Sequence, residues 1–280
     1  MIKKIILFGG SGFVGNAVHR QLESNHSLNV TNCDLIINQA DNSNAIQANI
    51  LNLKLVKNII KDHDLIINFT GQITNPIFNC LQLNTTGIMN ICKAVKKYNK
   101  KLIQISTVNV YGTTEYADES TILNPETPYS TLKAVSEKII ENMIPESNYA
   151  ILRLSNLFGK GQPKGIFNYI MKSLQNDRKL HFNNDGSLFR HYHCLDDFVE
   201  EIEKIVSLND FTGIYNIKGE DSYSIKDLVS IFEEVFGIKF KVTYNANQGK
   251  ENINQLSDIK IRSKISNHLK VSLREFLKNI

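Results

Sequence analysis

The residues with the clearest potential for chemistry in this 280-residue chain are Tyr129 and Lys133, within the stretch ETPYSTLKAVSEKII. Side chains four positions apart lie on one face of a helix, so the phenol and the ammonium group would stand side by side. A nearby cation favours the phenolate and therefore lowers the pKa of a tyrosine. The pair predicts proton transfer by Tyr129, but the same spacing also arises by chance, and the alternative is an aromatic residue on a packed helix.

A second chemical signature lies near the start of the chain, where Gly9, Gly12 and Gly15 follow a short apolar run. Gly9 permits a tight turn, Gly12 lets backbone N–H groups approach a pyrophosphate, and Gly15 lets the following helix pack against the strand. The N-terminus of that helix attracts phosphates through its free N–H groups and its dipole. The spacing predicts a dinucleotide-binding turn, although an ordinary strand–turn–helix unit can have it too.

The acidic residue that such a site requires is Asp34, nineteen residues after Gly15. Its carboxylate can accept hydrogen bonds from both hydroxyls of the adenosine ribose and repels a 2′-phosphate. No arginine follows it immediately, since the chain continues LIINQAD. The predicted cofactor is therefore NAD(H) rather than NADP(H), and the alternative is a solvated loop aspartate.

The elements that must position these residues alternate between strands and helices. Short, almost continuous apolar runs predict strands buried on both faces, and the stretches between them have helical patterns. The predicted strands are 3–9, 28–34, 64–71, 101–107 and 149–156, and the predicted helices are 13–25, 52–61, 77–98 and 128–143. This alternation predicts an α/β fold of the Rossmann type, with a doubly wound parallel sheet.

After about residue 157 the pattern changes and predicts a smaller C-terminal α/β lobe. We expect residues 1–156 to form the NAD-binding domain and residues 157–280 to form mainly the substrate-binding lobe, with segment 185–218 returning to the first domain. A helix in the lobe is predicted to start at Ser224, because serine is a favoured N-cap.

Composition and charge exclude several classes of protein. The net charge is only +4, and the densest basic run, 93–101, is interpreted as the solvated end of a helix, so no nucleic acid is expected. The four cysteines form no metal-binding pattern and predict buried free thiols in a reducing compartment. No apolar run is long enough for a signal peptide or a membrane span, so we expect a cytoplasmic protein without a membrane partner.

The combined motifs resemble those of an extended short-chain dehydrogenase/reductase, in the branch of NAD-dependent nucleotide-sugar epimerases, dehydratases and 4-ketoreductases. The resemblance follows chain order through GGSGFVG, DLIINFTGQ, NTTGIMNI, ISTVNVYG, PYSTLK, LRLSNLFGKGQ, DGSLFRHYHCLDD and GIYNIKG. It implies NAD as cofactor, a nucleotide-diphosphate sugar as substrate and a lobe that binds this sugar nucleotide. It also implies a homodimer in which helices 84–98 and 129–143 pair across a two-fold axis.

The resemblance also implies roles for individual residues. Tyr129 is the expected acid/base, Lys133 binds the nicotinamide ribose and lowers the tyrosine pKa, and Thr107 hydrogen-bonds the reacting oxygen. The expected substrate-binding residues are Gln72, Asn109, Asn156 and Arg190, of which the arginine has forked donors that suit a diphosphate. The expected cofactor-binding residues are Gly9, Ser11, Gly12, Phe13, Val14, Gly15, Asp34, Asn49, Ile50, Phe69, Thr70, Gly71, Asn84, Tyr129 and Lys133.

Departures from the family pattern narrow the expected reaction. Members that dehydrate sugars have an Asp-Glu pair after the catalytic threonine, whereas this chain has Val108 and Asn109. Neither side chain can protonate a leaving hydroxyl at C6 or abstract the C5 proton, so a 4,6-dehydratase is not expected. The expected chemistry is hydride and proton transfer at a ring carbon, C4, by a 4-epimerase, a 4-ketoreductase or a dehydrogenase. The alternative of another class is a non-catalytic, dinucleotide-sensing regulatory protein.

His191 and His193 flank Tyr192 and would share one face of a strand, as a metal-binding pair does. Asp196 and Asp197 are the only nearby carboxylates that could complete a metal site. In the family an acidic pair starts a helix here, so N-capping is the expected role and no metal is predicted.

Overall fold

Strands and helices alternate along the chain, as the sequence predicts. The computed structural model of the protein describes residues 3–37, 44–72, 75–247, 249–266 and 271–280. The strands in these ranges are β1 (Lys3–Phe8), β2 (Leu28–Asp34), β3 (Ala45–Gln47), β4 (Leu65–Asn68), β5 (Lys101–Thr107), β6 (Thr114–Ala117), β7 (Tyr149–Leu154), β8 (Asn156–Phe158), β9 (Lys179–Phe182), β10 (Phe189–Cys194), β11 (Gly213–Ile217), β12 (Asp221–Ser224), β13 (Lys241–Tyr244) and β14 (Ile253–Leu256). The α-helices are α1 (Phe13–Glu23), α2 (Leu53–Ile60), α3 (Ile77–Gln82), α4 (Ile88–Tyr98), α5 (Pro128–Met143), α6 (Ile166–Gln175), α7 (Leu195–Ser207), α8 (Ile225–Phe236), α9 (Ile259–Arg262) and α10 (Leu273–Lys278).

The central sheet has seven parallel strands in the order β11-β7-β5-β4-β1-β2-β3. Strand order reverses between β1 and β4, because the chain places β2 and β3 on one side of β1 and then β4 on the other. Open α/β sheets bind ligands at the carboxyl ends of the strands beside such a reversal. The predicted doubly wound α/β fold is confirmed, since the five predicted strands lie in this sheet together with β3 and β11.

Both faces of the sheet are buried, which explains the continuous apolar runs. In β1, Ile5 and Leu7 pack into the core beneath α1 and α7, whereas Ile6 and Phe8 pack into the core with α2, α4 and α5. All four side chains are fully buried. Burial of each such side chain stabilises the fold by about 1.5–3 kcal/mol, so the two cores together fix the sheet that carries the site.

The C-terminal half supplies small sheets with a separate aromatic core. These sheets have the orders β12-β10-β8, β13-β9 and β14-β6. Within segment 185–218, β11 pairs with β7 of the central sheet and α7 packs with α1, whereas β10 belongs to the three-stranded sheet. The predicted helix start at Ser224 is confirmed, since its side chain accepts a hydrogen bond from the Asp227 N–H in a capping box.

The four cysteines are free and buried, as expected. None of the helices in the described ranges combines the length and apolar character that a membrane crossing requires.

Candidate active site

The glycine turn between β1 and α1 has the geometry that its spacing predicts. Gly9 has a φ of +81°, a conformation that favours glycine. A Cβ on Gly15 would lie 2.3 Å from the Gly9 carbonyl oxygen, so α1 packs against the turn itself and not only against the strand. Gly12 is the N-cap of α1 and has no side chain to bond the first N–H groups. These groups and the helix dipole suit a pyrophosphate.

Asp34 lies beside this turn at the end of β2. Its carboxylate accepts hydrogen bonds from the Ser11 N–H at 3.0 Å and from the Leu35 N–H at 2.7 Å. Each carboxylate oxygen has a further lone pair and can therefore still accept a ribose hydroxyl. The glycine turn and Asp34 together fit the pyrophosphate and ribose of a dinucleotide.

A cavity of about 400 Å³ opens next to the glycine turn, at the carboxyl ends of β1, β4, β5 and β7. It brings together residues from both predicted regions of the site. The predicted residues in its wall are Gly9, Gly12, Phe13, Val14, Gly15, Phe69, Gln72, Thr107, Asn109, Tyr129 and Asn156. The other predicted residues are outside this wall: Ser11, Asp34, Asn49, Ile50, Thr70, Gly71, Asn84, Lys133 and Arg190. The roles of both groups stay predictions.

Tyr129 lies in the first turn of α5, and its hydroxyl donates a hydrogen bond to the side-chain oxygen of Gln72. Burial raises the pKa of Tyr129 above its ordinary value, and Cys80 and Glu251 act in the same direction. The net shift is upward because burial outweighs the other influences among the protein groups, and the expected lowering by Lys133 stays a prediction. In this arrangement the side chain is a neutral phenol that can donate a proton.

Lys133 is fully buried one helical turn further along α5, and its Nζ donates a hydrogen bond to the Ile105 carbonyl oxygen at 2.6 Å. Burial lowers its pKa to about 8, against the opposing effects of Glu137 and Cys80. Glu137 in turn accepts hydrogen bonds from Ser106 and Arg153, the latter at 2.7 Å. Buried charges persist when they are paired and hydrogen-bonded, so this network anchors α5 to the sheet.

Thr107 ends β5, and the short helical turn Val108–Tyr111 follows it. The Asn109 N–H donates to the Thr107 hydroxyl oxygen at 3.3 Å, and both residues reach the cavity. Val108 points away from it into a small core with Ile253 and Leu256. The hydroxyl of Thr107 therefore shares the cavity with Tyr129, whereas the Val108 side chain does not.

The loop after β4 is shaped by a buried amide. The Asn84 side chain donates to the carbonyl oxygens of Gly71 and Cys80 at 3.0 and 2.9 Å. Gly71 has a φ of +83°, and a Cβ there would lie 2.6 Å from the Asn84 amide. Thr70 donates from its N–H and its hydroxyl to the Asn68 side-chain oxygen. Asn84 therefore supports the loop that carries Gln72, from a π-helical segment, Leu83–Gly87, between α3 and α4.

Asn49 and Ile50, predicted to bind the adenine end, lie beyond β3. The Asn49 side-chain oxygen accepts from the Leu51 N–H at 2.9 Å, and the residue is otherwise exposed. Ile50 is buried against Gly87, where an added Cβ would lie 2.5 Å from its Cδ1.

Arg190, the predicted diphosphate ligand, has backbone partners in this structure. Its guanidinium donates to the carbonyl oxygens of Phe189 at 3.2 Å and Lys250 at 2.9 Å, and also to that of Glu251. Burial lowers its pKa. The nearby Asn156 side chain donates weakly, at 3.5 Å, to the His191 carbonyl oxygen and lines the cavity. The structure thus brings Asn156 to the cavity but holds Arg190 against the 250–251 backbone.

His191 and His193 have separate partners. The nitrogens of His191 contact Ser222 Oγ at 2.6 Å and the Ile253 carbonyl oxygen at 3.1 Å, and burial lowers its pKa to about 4. His193 Nε2 lies 2.9 Å from a Glu201 carboxylate oxygen. No group of three metal-binding side chains occurs within the described ranges.

The expected N-cap role of Asp196 and Asp197 is wrong, because the N-cap of α7 is Cys194 and no side chain caps it. Both aspartates lie in the first turn, where their charges favour the helix dipole.

Several cavity residues escaped prediction. The wall also contains Ser155, Gln162, Lys164 and Tyr192, which come from the end of β7, the loop before α6, and β10. Ser155 and Gln162 fall inside the motif LRLSNLFGKGQ, but nothing in a single sequence distinguishes a polar side chain facing a cavity from one facing solvent.

Comparison with known proteins assigns the family. The sequence model described as "NAD dependent epimerase/dehydratase family" matches residues 5–217. The dTDP-D-glucose 4,6-dehydratase of Dictyostelium discoideum is 24% identical over 253 residues, which cover 77% of this chain and 58% of that protein. The dTDP-glucose 4,6-dehydratase of Mycobacterium tuberculosis is 26% identical over 242 residues, which cover 78% of this chain and 72% of that protein. The chain thus spans little more than half of the Dictyostelium relative.

Solved structures share the fold. The UDP-glucuronic acid 4-epimerase of Bacillus cereus, in complex with UDP-glucuronic acid and NAD, has a TM-score of 0.86 at 22% identity, with 98% of this chain and 96% of that chain covered. The dTDP-glucose 4,6-dehydratase of Bacillus anthracis, in complex with NAD, has a TM-score of 0.85 at 23% identity, with 99% and 94% covered. The resemblance in the sequence and the expected NAD cofactor are confirmed at the level of the family.

Proposed function

Because the chain belongs to the NAD-dependent epimerase/dehydratase family, we propose that it catalyses hydride and proton transfer at C4 of a nucleotide-diphosphate sugar. One observation carries the proposal: a single cavity joins the glycine turn to Thr107 and Tyr129, and none of its described wall residues is Asp or Glu. Oxidation of a ring hydroxyl needs a hydride acceptor and a group that accepts the hydroxyl proton. The proposed reaction is a 4-epimerisation, with 4-keto reduction or 4-dehydrogenation as the alternatives of the same class.

The residues near the glycine turn fit NAD, which supplies the hydride acceptor or donor when bound. Tyr129 exchanges a proton with the sugar O4, and Thr107 hydrogen-bonds the same oxygen. Since the pKa of Tyr129 is raised, its phenol is ready to protonate a 4-keto oxygen during reduction. In oxidation it must first lose that proton, which the ammonium form of Lys133 and a positively charged nicotinamide ring would favour. A positioned acid/base contributes about 10²–10⁴-fold to the rate.

The proposal differs from the activity named for the sequence relatives, which are 4,6-dehydratases. Elimination at C5 and C6 needs an acid and a base besides Tyr129. Here Val108 packs into a core and the amide of Asn109 does not titrate at ordinary pH. The residues of the cavity wall therefore support hydride and proton transfer at C4 without elimination at C5 and C6.

The test is a panel of UDP-glucose, UDP-glucuronic acid, dTDP-glucose and 4-keto-sugar nucleotides, with products identified by NMR and cofactor followed by NADH absorbance. Interconversion of C4 epimers without net cofactor consumption supports an epimerase, and stoichiometric NADH oxidation by a 4-keto sugar supports a reductase. Formation of a 4-keto-6-deoxy sugar contradicts the proposal. NAD binding without turnover of any sugar favours the non-catalytic regulatory protein.

A homodimer is the proposed assembly. A mainly apolar groove between α4 and α5 has Met89, Val135, Ile139 and Met143 in its lining, together with Thr131, Lys138 and Asn142, so both helices expected at the two-fold axis contribute. Four free buried thiols agree with the expected reducing, cytoplasmic location.

A further inference from the structure

Three polar atoms in the cavity wall have no hydrogen-bond partner among the residues that the structure describes: Ser155 Oγ, Gln162 Oε1 and the Tyr192 hydroxyl. Ser155 is 6% exposed and Tyr192 is 2% exposed. Burying a polar atom without a partner is unfavourable, so such atoms are rare and call for an explanation. Three of them around one cavity can therefore bond a molecule that enters it.

These atoms are held in place by three different elements. The Ser155 N–H donates to the Ile217 carbonyl oxygen at 2.9 Å, which ties the end of β7 to β11. Tyr192 on β10 is the register partner of Asn156 on β8, and both side chains reach the cavity. The Gln162 Nε2 donates to the Leu157 carbonyl oxygen at 3.1 Å. The set is therefore positioned before any ligand arrives.

The orientation of Gln162 restricts the chemistry of that ligand. Its amide nitrogen donates to the Leu157 carbonyl oxygen. A flipped amide would place its own oxygen against that carbonyl oxygen, where neither atom can donate. The remaining Oε1 only accepts hydrogen bonds, so the ligand must offer an O–H or N–H group there. Phosphate and carboxylate oxygens do not satisfy it. The hydroxyls of Ser155 and Tyr192 can both donate and accept, as the hydroxyls of a sugar do.

The charge of the cavity wall also favours a ligand without a carboxylate. Among the described residues of the wall, only Lys164 is charged, and it is exposed. A sugar carboxylate buried beside the three atoms would lack a buried cation, which a desolvated charge requires.

We propose that Ser155, Gln162 and Tyr192 form a hydroxyl-binding subsite that selects a neutral hexose ring, with a C6 hydroxyl, over the matching uronic acid. This subsite rests on the proposed function, because it assumes that the cavity holds the sugar of a nucleotide sugar. The three residues bind the sugar ring, whereas Thr107 and Tyr129 interact with the reacting oxygen.

The test uses the full chain saturated with NAD and calorimetric titration with UDP-glucose, dTDP-glucose and UDP-glucuronic acid. The expected result is tighter binding of a glucose nucleotide than of UDP-glucuronic acid. Ser155→Ala, Gln162→Met and Tyr192→Phe should each weaken binding of that glucose nucleotide by about threefold to tenfold, the loss of one neutral hydrogen bond. Each should leave NAD affinity unchanged.

Matched controls separate binding from folding. Ser173→Ala and Tyr223→Phe remove hydroxyls that are bonded to the Lys179 carbonyl oxygen and to Asp221, outside the cavity wall. They should lower the melting temperature and leave sugar binding unchanged. Ser155→Ala and Tyr192→Phe remove unpartnered hydroxyls and should not lower the melting temperature.

The outcomes distinguish the two proposals. Wild-type protein that binds NAD but neither these three sugar nucleotides nor the 4-keto-sugar nucleotides of the panel overturns the proposed function and this subsite with it. Wild-type protein that binds a glucose nucleotide, with unchanged affinity in all three variants or with preference for UDP-glucuronic acid, overturns the subsite alone.

Discussion

At the scale of single residues, Tyr129 and Lys133 are the pair on which the proposed chemistry depends. Tyr129 reaches the cavity and donates to Gln72, whereas Lys133 is fully buried behind it and donates to the Ile105 carbonyl oxygen. The pKa values of the two groups shift in opposite directions, because burial disfavours both the phenolate and the ammonium ion. Burial thus keeps Tyr129 a neutral phenol and makes the Lys133 ammonium group easier to deprotonate.

Replacement of the phenol tests its role directly. Tyr129→Phe should lower kcat by about 10²–10⁴-fold, because no other positioned group is proposed to exchange a proton with O4. The melting temperature should change little; steady-state kinetics would measure kcat, and calorimetry would measure the melting temperature. Tyr223→Phe is the matched control, since its hydroxyl bonds Asp221 away from the cavity. Full turnover in the Tyr129 variant would remove the basis of the mechanism.

The buried ammonium group predicts a pH dependence of stability. Below about pH 8, Lys133 is protonated in both the folded and the unfolded chain, and the folded state bears the cost of a buried charge. Between about pH 8 and its ordinary value of 10.5, only the unfolded chain keeps the proton, so stability rises with pH through this window.

The pH-dependent contribution of Lys133 to stability should be absent in the Lys133→Met variant. Urea unfolding at about pH 7 and about pH 10 should therefore show a larger gain, or a smaller loss, of unfolding free energy for the wild type than for the variant. The comparison cancels the titration of all other groups that the two proteins share. Parallel pH profiles would mean that Lys133 is not buried as a titrating group.

At the scale of elements, the site depends on how closely α1 approaches the turn before it. The sequence identifies the three glycines. The structure shows why position 15 needs a glycine, because a Cβ there would lie too close to the Gly9 carbonyl oxygen. The opposite wall depends on α5, which is tied to the sheet by the Glu137–Arg153 pair and begins at the N-cap Thr127. Both helices present their first turns to the same cavity.

Gly15→Ala should disturb this approach. The added Cβ would lie 2.3 Å from the Gly9 carbonyl oxygen, so α1 or the turn must shift. We expect NAD affinity to fall at least tenfold in calorimetric titration, because the backbone N–H groups lose their alignment with the pyrophosphate. Asn16→Ala, one position along the same helix, is the control and should keep wild-type affinity. Equal affinity in the two variants would show that the turn does not bind the cofactor.

At the scale of the whole molecule, the apolar groove between α4 and α5 is the surface proposed to form the dimer. Val135 is 37% exposed there, although its neighbours on the other faces of α5 pack against the sheet. Burying such a surface against a second copy would add to the stability of the assembly.

A charge in this groove should break the dimer. Val135→Glu places a carboxylate where the partner would desolvate it, so the variant should be a monomer in light scattering at micromolar concentration. Ile259→Glu is the control, because Ile259 is 74% exposed and lies outside the groove. A wild-type protein that is already monomeric at this concentration would contradict the proposed dimer.

The sequence by itself determined the order of the elements and the nature of the sheet. Continuous apolar strands such as β1 indicate burial on both faces, and the glycine spacing with Asp34 predicts a dinucleotide-type turn. These are local constraints, since each depends on the period of side chains or on the conformation of a few backbone units. Such constraints can be recognised without knowing what lies on the other side of the molecule.

Only the tertiary structure decided which polar groups share the cavity. Ser155 follows β7, Tyr192 lies on β10 and Gln162 lies in a loop, so their meeting depends on how two sheets pack and not on any local pattern. The same holds for Arg190, whose guanidinium turns to the backbone of residues 250–251, far along the chain. The upward shift in the pKa of Tyr129 has the same origin, because the extent of burial is set by the packing of the whole fold.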